Sequence, residues 1–384
     1  MSLFGLVLLV LAAVVLVVTG LPAFVVLIGA SLLGGLVAVA NGVPFAVFAA
    51  LPSRLVGLLE NDLIQAIPLY VAMGALIDRL PITGAVFRTL AAIVPGRGRA
   101  LVAGLGLGAL LGPMNGSVGA SVVALARTLG PELRRAGIAP AARQALIAVA
   151  GTLGVVVPPS LVLILLGDAM LAAHTSALNT TGRFDLVVNT RDVFRAAMVP
   201  AAIFLLGALV VAWAMGRAAP AAGEAEAPAP TPPSRTDVVV TVVSVGFLVM
   251  LLGGVAAGRF YAVEAAAMGA VVMALAALLS GRLKGGALGA VLDETLATTG
   301  VLFSLLMAAT TFTLVLRMLG TDRLVGSVIA AAPGGPAGAA AAGLAVIAVS
   351  AFVLDAFEII FVIVPIVAPA MLAWYRYKDG REPV

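Results

Sequence analysis

The sequence predicts an all-α integral membrane protein of about ten transmembrane helices, with re-entrant helical hairpins and two halves related as inverted repeats. Three observations carry that reading. The 384 residues are 62% hydrophobic and only 10% charged, with a mean hydropathy of +1.19. Soluble domains carry roughly 25% charged residues, so this chain lacks the polar surface to live in water. Its apolar runs are rich in Ala and Leu, without the alternation of barrel strands, and several approach the ~20 residues a helix needs to cross hydrocarbon. Finally, two helix-breaking turns interrupt apolar sequence: Gly112-Pro113-Met114-Asn115-Gly116-Ser117 and Val157-Pro158-Pro159-Ser160.

Residues Met1 to Gly20 are strongly apolar and lack a basic leading segment, so they read as a first membrane helix and not as a cleaved signal. Apolar segments follow near 23–39, 64–80, 101–111, 145–166, 193–215, 238–252, 262–279, 296–319 and 339–373. They allow roughly nine to eleven crossings plus shorter re-entrant pieces. Gly104, Gly108 and Gly112 recur at four-residue spacing and place a smooth face on one side of a helix, suited to close backbone packing. A Pro- and Ala-rich stretch at 217–236 is polar enough to stay in water and is expected to be a disordered linker. It separates a first membrane repeat, 1–216, from a second, 237–384. The first holds a hairpin near 101–130 and a Pro-Pro broken helix at 145–166. Halves of this kind each contribute a broken helix to a site at the bilayer midplane.

The formal net charge of +4 does not indicate a nucleic-acid binder, because the basic residues form no dense patch. They sit in short loops (Arg97 and Arg99; Arg134, Arg135 and Arg143; Arg282 with Lys284) and read as topology determinants. No cysteine is present, which excludes disulfides and thiolate chemistry. The single histidine, His174, is expected with Asp168 in a loop after the Pro-Pro span. With no second histidine it reads as a surface residue and not a metal ligand.

Lipid-facing helices do not tolerate breaks such as these; they persist where loosened backbone is buried or lines a polar cavity. Asn115, Gly116 and Ser117 supply an amide oxygen, a hydroxyl and exposed carbonyls, and the run from Gly151 into Pro158-Pro159 frees more carbonyls, because each Pro removes a backbone donor. Together they are oxygen ligands suited to a hard cation such as sodium. Asp355 and Glu358 are three apart and would share a face of a helix. Carboxylates inside a membrane cost roughly 2.5–3.5 kcal/mol each on insertion scales and are candidates for substrate or second-hairpin roles; at a membrane edge that cost falls away. Glu264 begins an apolar span and reads as a partner for the helix dipole.

These motifs resemble, in order and over nearly the whole chain, the large membrane subunit of tripartite ATP-independent periplasmic (TRAP) transporters. The resemblance rests on Asn115-Gly116-Ser117-Val118-Gly119-Ala120-Ser121, on Ala150-Gly151-Thr152-Leu153-Gly154 into Val157-Pro158-Pro159-Ser160, and on Glu264-Ala265-Ala266-Ala267-Met268-Gly269-Ala270. Leu354-Asp355 with Pro365-Ile366 and Pro369 is similar to the second hairpin of that subunit. The stretches Gly167-Asp168-Ala169-Met170, 189–195 and Phe357-Glu358-Ile359 look most like a branch often labelled for mannitol or chloroaromatic compounds.

The resemblance implies a bacterial inner-membrane, multi-pass, elevator-type importer, coupled to sodium and not an enzyme. Its substrate would be an organic acid or related small solute delivered by a periplasmic binding protein, and a small membrane subunit would pack beside it. Carried over by motif, Asn115, Ser117, Gly154, Val157 and Pro159 would line a first sodium site, and Asp355 would belong to the second hairpin. No Walker-type Gly-x-x-x-x-Gly-Lys-Ser/Thr occurs, in keeping with ion-driven transport. Two departures stand out. Tyr261-Ala262-Val263 replaces a Thr-Pro-Thr before the Glu-Ala-Ala motif, and the chain ends where the family continues into a further span with Thr-Pro-Pro. The second repeat is therefore expected to be incomplete, which leaves a truncated, non-transporting scaffold as the alternative. An ion channel fits less well, since it needs a continuous pore and usually a symmetric assembly. A serine hydrolase pairing Ser117 with His174 is disfavoured because no Gly-x-Ser-x-Gly elbow surrounds Ser117.

Overall fold

The structure, a computed structural model, describes residues 1–95, 98–112, 118–157, 160–181, 190–218 and 232–375. Among these residues the regular elements are helices. They begin with α1 (Ser2–Thr19), α2 (Ala23–Ala40), α3 (Ala50–Leu59), α4 (Asp62–Ile77), α5 (Ile82–Ile93), α6 (Arg99–Leu111) and α7 (Val118–Arg135). There follow α8 (Pro140–Val156), α9 (Leu161–Thr181), α10 (Thr190–Ala218), α11 (Arg235–Ala256), α12 (Ala262–Leu279) and α13 (Ala287–Met318). The series closes with α14 (Thr321–Ala330), α15 (Gly335–Ser350), the short α16 (Ala356–Glu358), a π turn over Ile359–Ile363, and α17 (Val364–Tyr375).

Seven of the described helices are long and apolar enough to cross a membrane, or up to eight if the bent pair Phe45–Leu59 and Leu63–Ile77 counts as one span. Five further apolar helices among the described residues are shorter, including 99–110 before the first break and 140–156 before the second. The sequence predicts several full spans with interrupted shorter ones; among the described residues seven or eight are of full length, which does not confirm the expected count of about ten. The difference lies in the interruptions, which divide apolar sequence into pieces below membrane length.

The helices group into two compact units. One is built from 65–164 and 191–299, the other from 1–64, 165–190 and 300–384. In the first, α8 packs against both α6 and α7, while α5 packs against α6 and α11. In the second, α1 packs against α2 and α14, and α17 packs against α14 and α15. The compact units and the two sequence halves are different divisions of the chain, because each unit draws on both sides of the linker.

Three expectations change. Asp168 and His174 lie within α9 and not in a loop, and His174 is 2% exposed. The Ala- and Leu-rich sequence around them continues the helix, and packing then encloses the imidazole. The expected linker overlaps helix at both ends: α10 runs through Ala218 and α11 starts at Arg235 with Ser234 as its N-cap, while the part of the linker at 219–231 lies outside the described residues. Asp355 precedes α16 instead of riding on a helix with Glu358.

Candidate functional site

The glycine stripe brings the edges of the two breaks together. A β-carbon on Gly104 would meet the Leu146 and Leu129 side chains, and one on Gly108 would run into the backbone of Ala150. One on Gly112 would strike the Gly154 Cα, and one on Gly154 would strike the Gly112 backbone. From the other side of the first break, Gly151 faces Val122, with the Val122 amide nitrogen 3.2 Å from its absent β-carbon. Residues on both flanks of 113–117 therefore close on the last two turns of α8. Such an approach requires glycine, because any side chain would force the backbones apart.

Beyond α8 the backbone turns extended at Val157 (φ −78°, ψ 118°), whose amide still donates to the Leu153 carbonyl at 2.9 Å. Ser160 spans the second break. Its hydroxyl donates to the Val155 carbonyl at 2.7 Å and accepts from the Leu163 amide at 3.2 Å, in a position 1% exposed. Ser160 thus ties the end of α8 to the start of α9, satisfying groups that Pro158 and Pro159 leave open. Of the predicted sodium ligands, Gly154 and Val157 lie at this junction. Asn115, Ser117 and Pro159 fall outside the described residues.

The second pair of candidates has a local partner. Glu358 Oε2 accepts the Asp355 backbone amide at 3.1 Å, closing the N-terminus of α16. Asp355 is exposed and Glu358 half-buried. The Glu358 carboxylate also borders an otherwise apolar cavity of about 520 Å³ against α1, α2 and α15. Glu264 plays the expected role, accepting the Tyr261 amide at 2.9 Å at the start of α12.

Two polar groupings went unread in the sequence. In the unit of 65–164 and 191–299, Arg88 reaches Asp237 through two nitrogens at 2.6 and 3.3 Å and Glu132 at 3.4 Å, clamping α5 to α11 and α7. In the other unit, a cavity of about 220 Å³ is edged by Arg54, Asn61, Asp168, Thr310, Thr313 and Arg317. Asn61 donates to Asp168 at 3.0 Å, and Thr313 donates to the carbonyl of Phe361 in the π turn at 3.3 Å. The available signal was an arginine, Arg54, embedded in an apolar stretch beside Pro52 and Ser53.

A family model described as "Tripartite ATP-independent periplasmic transporter, DctM component" matches residues 10–374. The chain belongs to this family. This DctM-family chain is accordingly a multi-pass membrane protein of a transport family. It is also similar to the ectoine TRAP transporter large permease protein TeaC of Halomonas elongata, at 25% identity over 278 residues. That alignment covers 72% of this chain and 59% of the relative, so the chain spans about three fifths of the length of the curated relative it matches. The relative's label is ectoine and neither mannitol nor a chloroaromatic compound.

Proposed function

We propose that this chain is the large permease of a sodium-coupled importer in a bacterial inner membrane. It moves an organic acid or a related small solute that a periplasmic binding protein delivers, and a small membrane subunit packs beside it. Transport follows an elevator cycle in which the broken helices carry the ion and the solute together. The observation that supports this best is the mutual backbone contact of Gly112 and Gly154. It draws two interrupted helix ends together, where neutral oxygen ligands suit a hard cation and no carboxylate is needed. Sodium would be held by Asn115, Ser117 and the carbonyls around Gly154, Val157 and Pro159, with Asp355 on the second hairpin.

The test is uptake into proteoliposomes holding the chain with its small subunit and binding protein, first with ectoine, the solute named for the TeaC relative. An inward sodium gradient is expected to drive accumulation, and Asn115→Ala or Ser117→Ala to reduce it at least tenfold. Accumulation that persists without sodium would remove the coupling from the proposal.

A further inference from the structure

We propose that the apolar slot between α6, α8 and α10 is the seat of one acyl chain of an anionic phospholipid, whose phosphate is held by Arg99 and Arg143. The proposal does not depend on the transport reading. Every residue it uses belongs to the unit of 65–164 and 191–299.

Helix register brings the two arginines to one end of the slot. Gly104, Gly108 and Gly112 stand against Leu146, Ala150 and Gly154, a constant offset of 42 residues. Parallel helices keep such an offset and antiparallel ones do not. The first turns of α6 and α8, with Arg99 and Arg143, therefore lie side by side. The later part of α10 meets that same end, where the Trp213 backbone abuts Gly98, the N-cap of α6. Trp213 is exposed, and an exposed tryptophan on a membrane helix marks the level where hydrocarbon gives way to headgroups. Both arginines are half-buried, and among the described residues neither takes part in an ion pair. The carboxylates of Glu132 and Asp237 in this unit are already held by Arg88 and Arg135. Basic groups between membrane helices without a carboxylate of their own attract anionic headgroups.

The slot has the dimensions of one hydrocarbon chain. Its volume is about 510 Å³, and none of the side chains that line it is polar. Along α10 it runs from Ile203 to Met215, about 18 Å at 1.5 Å per residue. One leaflet of a ~30 Å hydrocarbon core is about 15 Å deep, so the slot matches the depth of a single lipid tail. Volume over length gives a cross-section of about 30 Å², well short of the roughly 80 Å² that a helix ~10 Å across needs. A protein helix is too thick for it. Gly207 helps keep it open, since a β-carbon there would meet nothing.

The test uses the purified full-length chain in detergent micelles, titrated with dioleoyl phosphatidylglycerol, dioleoyl phosphatidylethanolamine and dioleoylglycerol. Native mass spectrometry counts the lipids retained. Phosphatidylglycerol is expected to bind saturably, one per chain at this site, and at least tenfold more tightly than the other two. Arg99→Gln and Arg143→Gln should each lower that preference about fivefold, the effect of one basic group near a headgroup. Gly207→Leu, which fills the slot and leaves both arginines in place, should remove the bound lipid from a protein that still folds. A phosphatidylglycerol with a photoreactive tail should label α6, α8 and α10. Equal retention of the three lipids, a preference unchanged in both arginine variants, or label confined to other helices would overturn the site. Loss of the label on adding the small membrane subunit would also overturn it, by assigning the slot to protein.

Discussion

At the scale of single residues, the contact between Gly112 and Gly154 is the sharpest constraint in the chain. A methyl on either would enter the other's backbone. Gly154→Ala is expected to destabilise the protein by about 1–3 kcal/mol through overpacking. Gly207→Ala, in α10 with open space around it, should be neutral or stabilise by up to about 1 kcal/mol. Thermal unfolding of the two variants in the same detergent checks the contrast; equal effects would mean the close approach does not exist. The four-residue spacing of Gly104, Gly108 and Gly112 announced a packing face in the sequence, because a glycine period is visible without knowing its partner. The partner, Gly154, was legible only as part of a break. Its pairing is a tertiary fact. The fate of His174 was hidden for the same reason: a polar residue in an Ala-rich run looks like a loop until packing encloses it.

At the scale of elements, the breaks were legible and the short helices were not. Pro158-Pro159 ends α8 because the ring cannot donate and clashes with the preceding turn, a local effect independent of the rest of the fold. Helices α5 and α14 run for only about three turns each and carry Arg88, or Asp322 and Arg323, within them, so neither reaches a membrane-length apolar run. What fixes α5 is the Arg88 clamp across 149 residues of sequence to Asp237, with Glu132 as a second anchor and the Thr241 hydroxyl donating to Thr89 at 3.0 Å. Side-chain exposures of 25% for Arg88 and 17% for Asp237 place this pair between surface and core. Arg88→Met is therefore expected to cost about 1–3 kcal/mol, mostly from the two carboxylates left behind. Arg88→Lys should recover only part of it, since an ammonium cannot reproduce the two-nitrogen geometry. Denaturation midpoints of the two variants decide this; equal losses would argue against the bidentate bond.

For the whole molecule, one group outside the spans sets an expected pH response. Asp78 lies in the turn after α4, where burial first and the Glu294 carboxylate second push its pKa up from 3.8 to about 6, against Arg79 and Arg127. Glu294 is itself paired with Arg79 at 3.5 Å. The folded state therefore favours protonated Asp78. The resulting stability is fully present below pH 4 and is lost as pH rises through 6. Asp78→Asn should then melt higher than the native chain at pH 7.5, by on the order of 1–3 kcal/mol, and match it near pH 4. A variant that melts lower at pH 7.5 would show that the carboxylate makes a favourable contact instead.

The packing of α1 against α14 has a consequence for synthesis. Gly5 of α1 lies against the Thr321 side chain of α14, so the unit of 1–64, 165–190 and 300–384 cannot close until residues beyond 300 have been made. At ribosomal rates of ~5–20 residues per second, the first helix waits on the order of 15–65 s for its neighbour. In water such a wait would invite aggregation. In a bilayer the unclaimed apolar face of α1 is solvated by acyl chains as well as by protein, so delay carries little penalty. The hazard falls instead on the polar groups made early: Asn61 and Asp168 hold each other, while Thr313 and Arg317, which line the same cavity, have yet to be made.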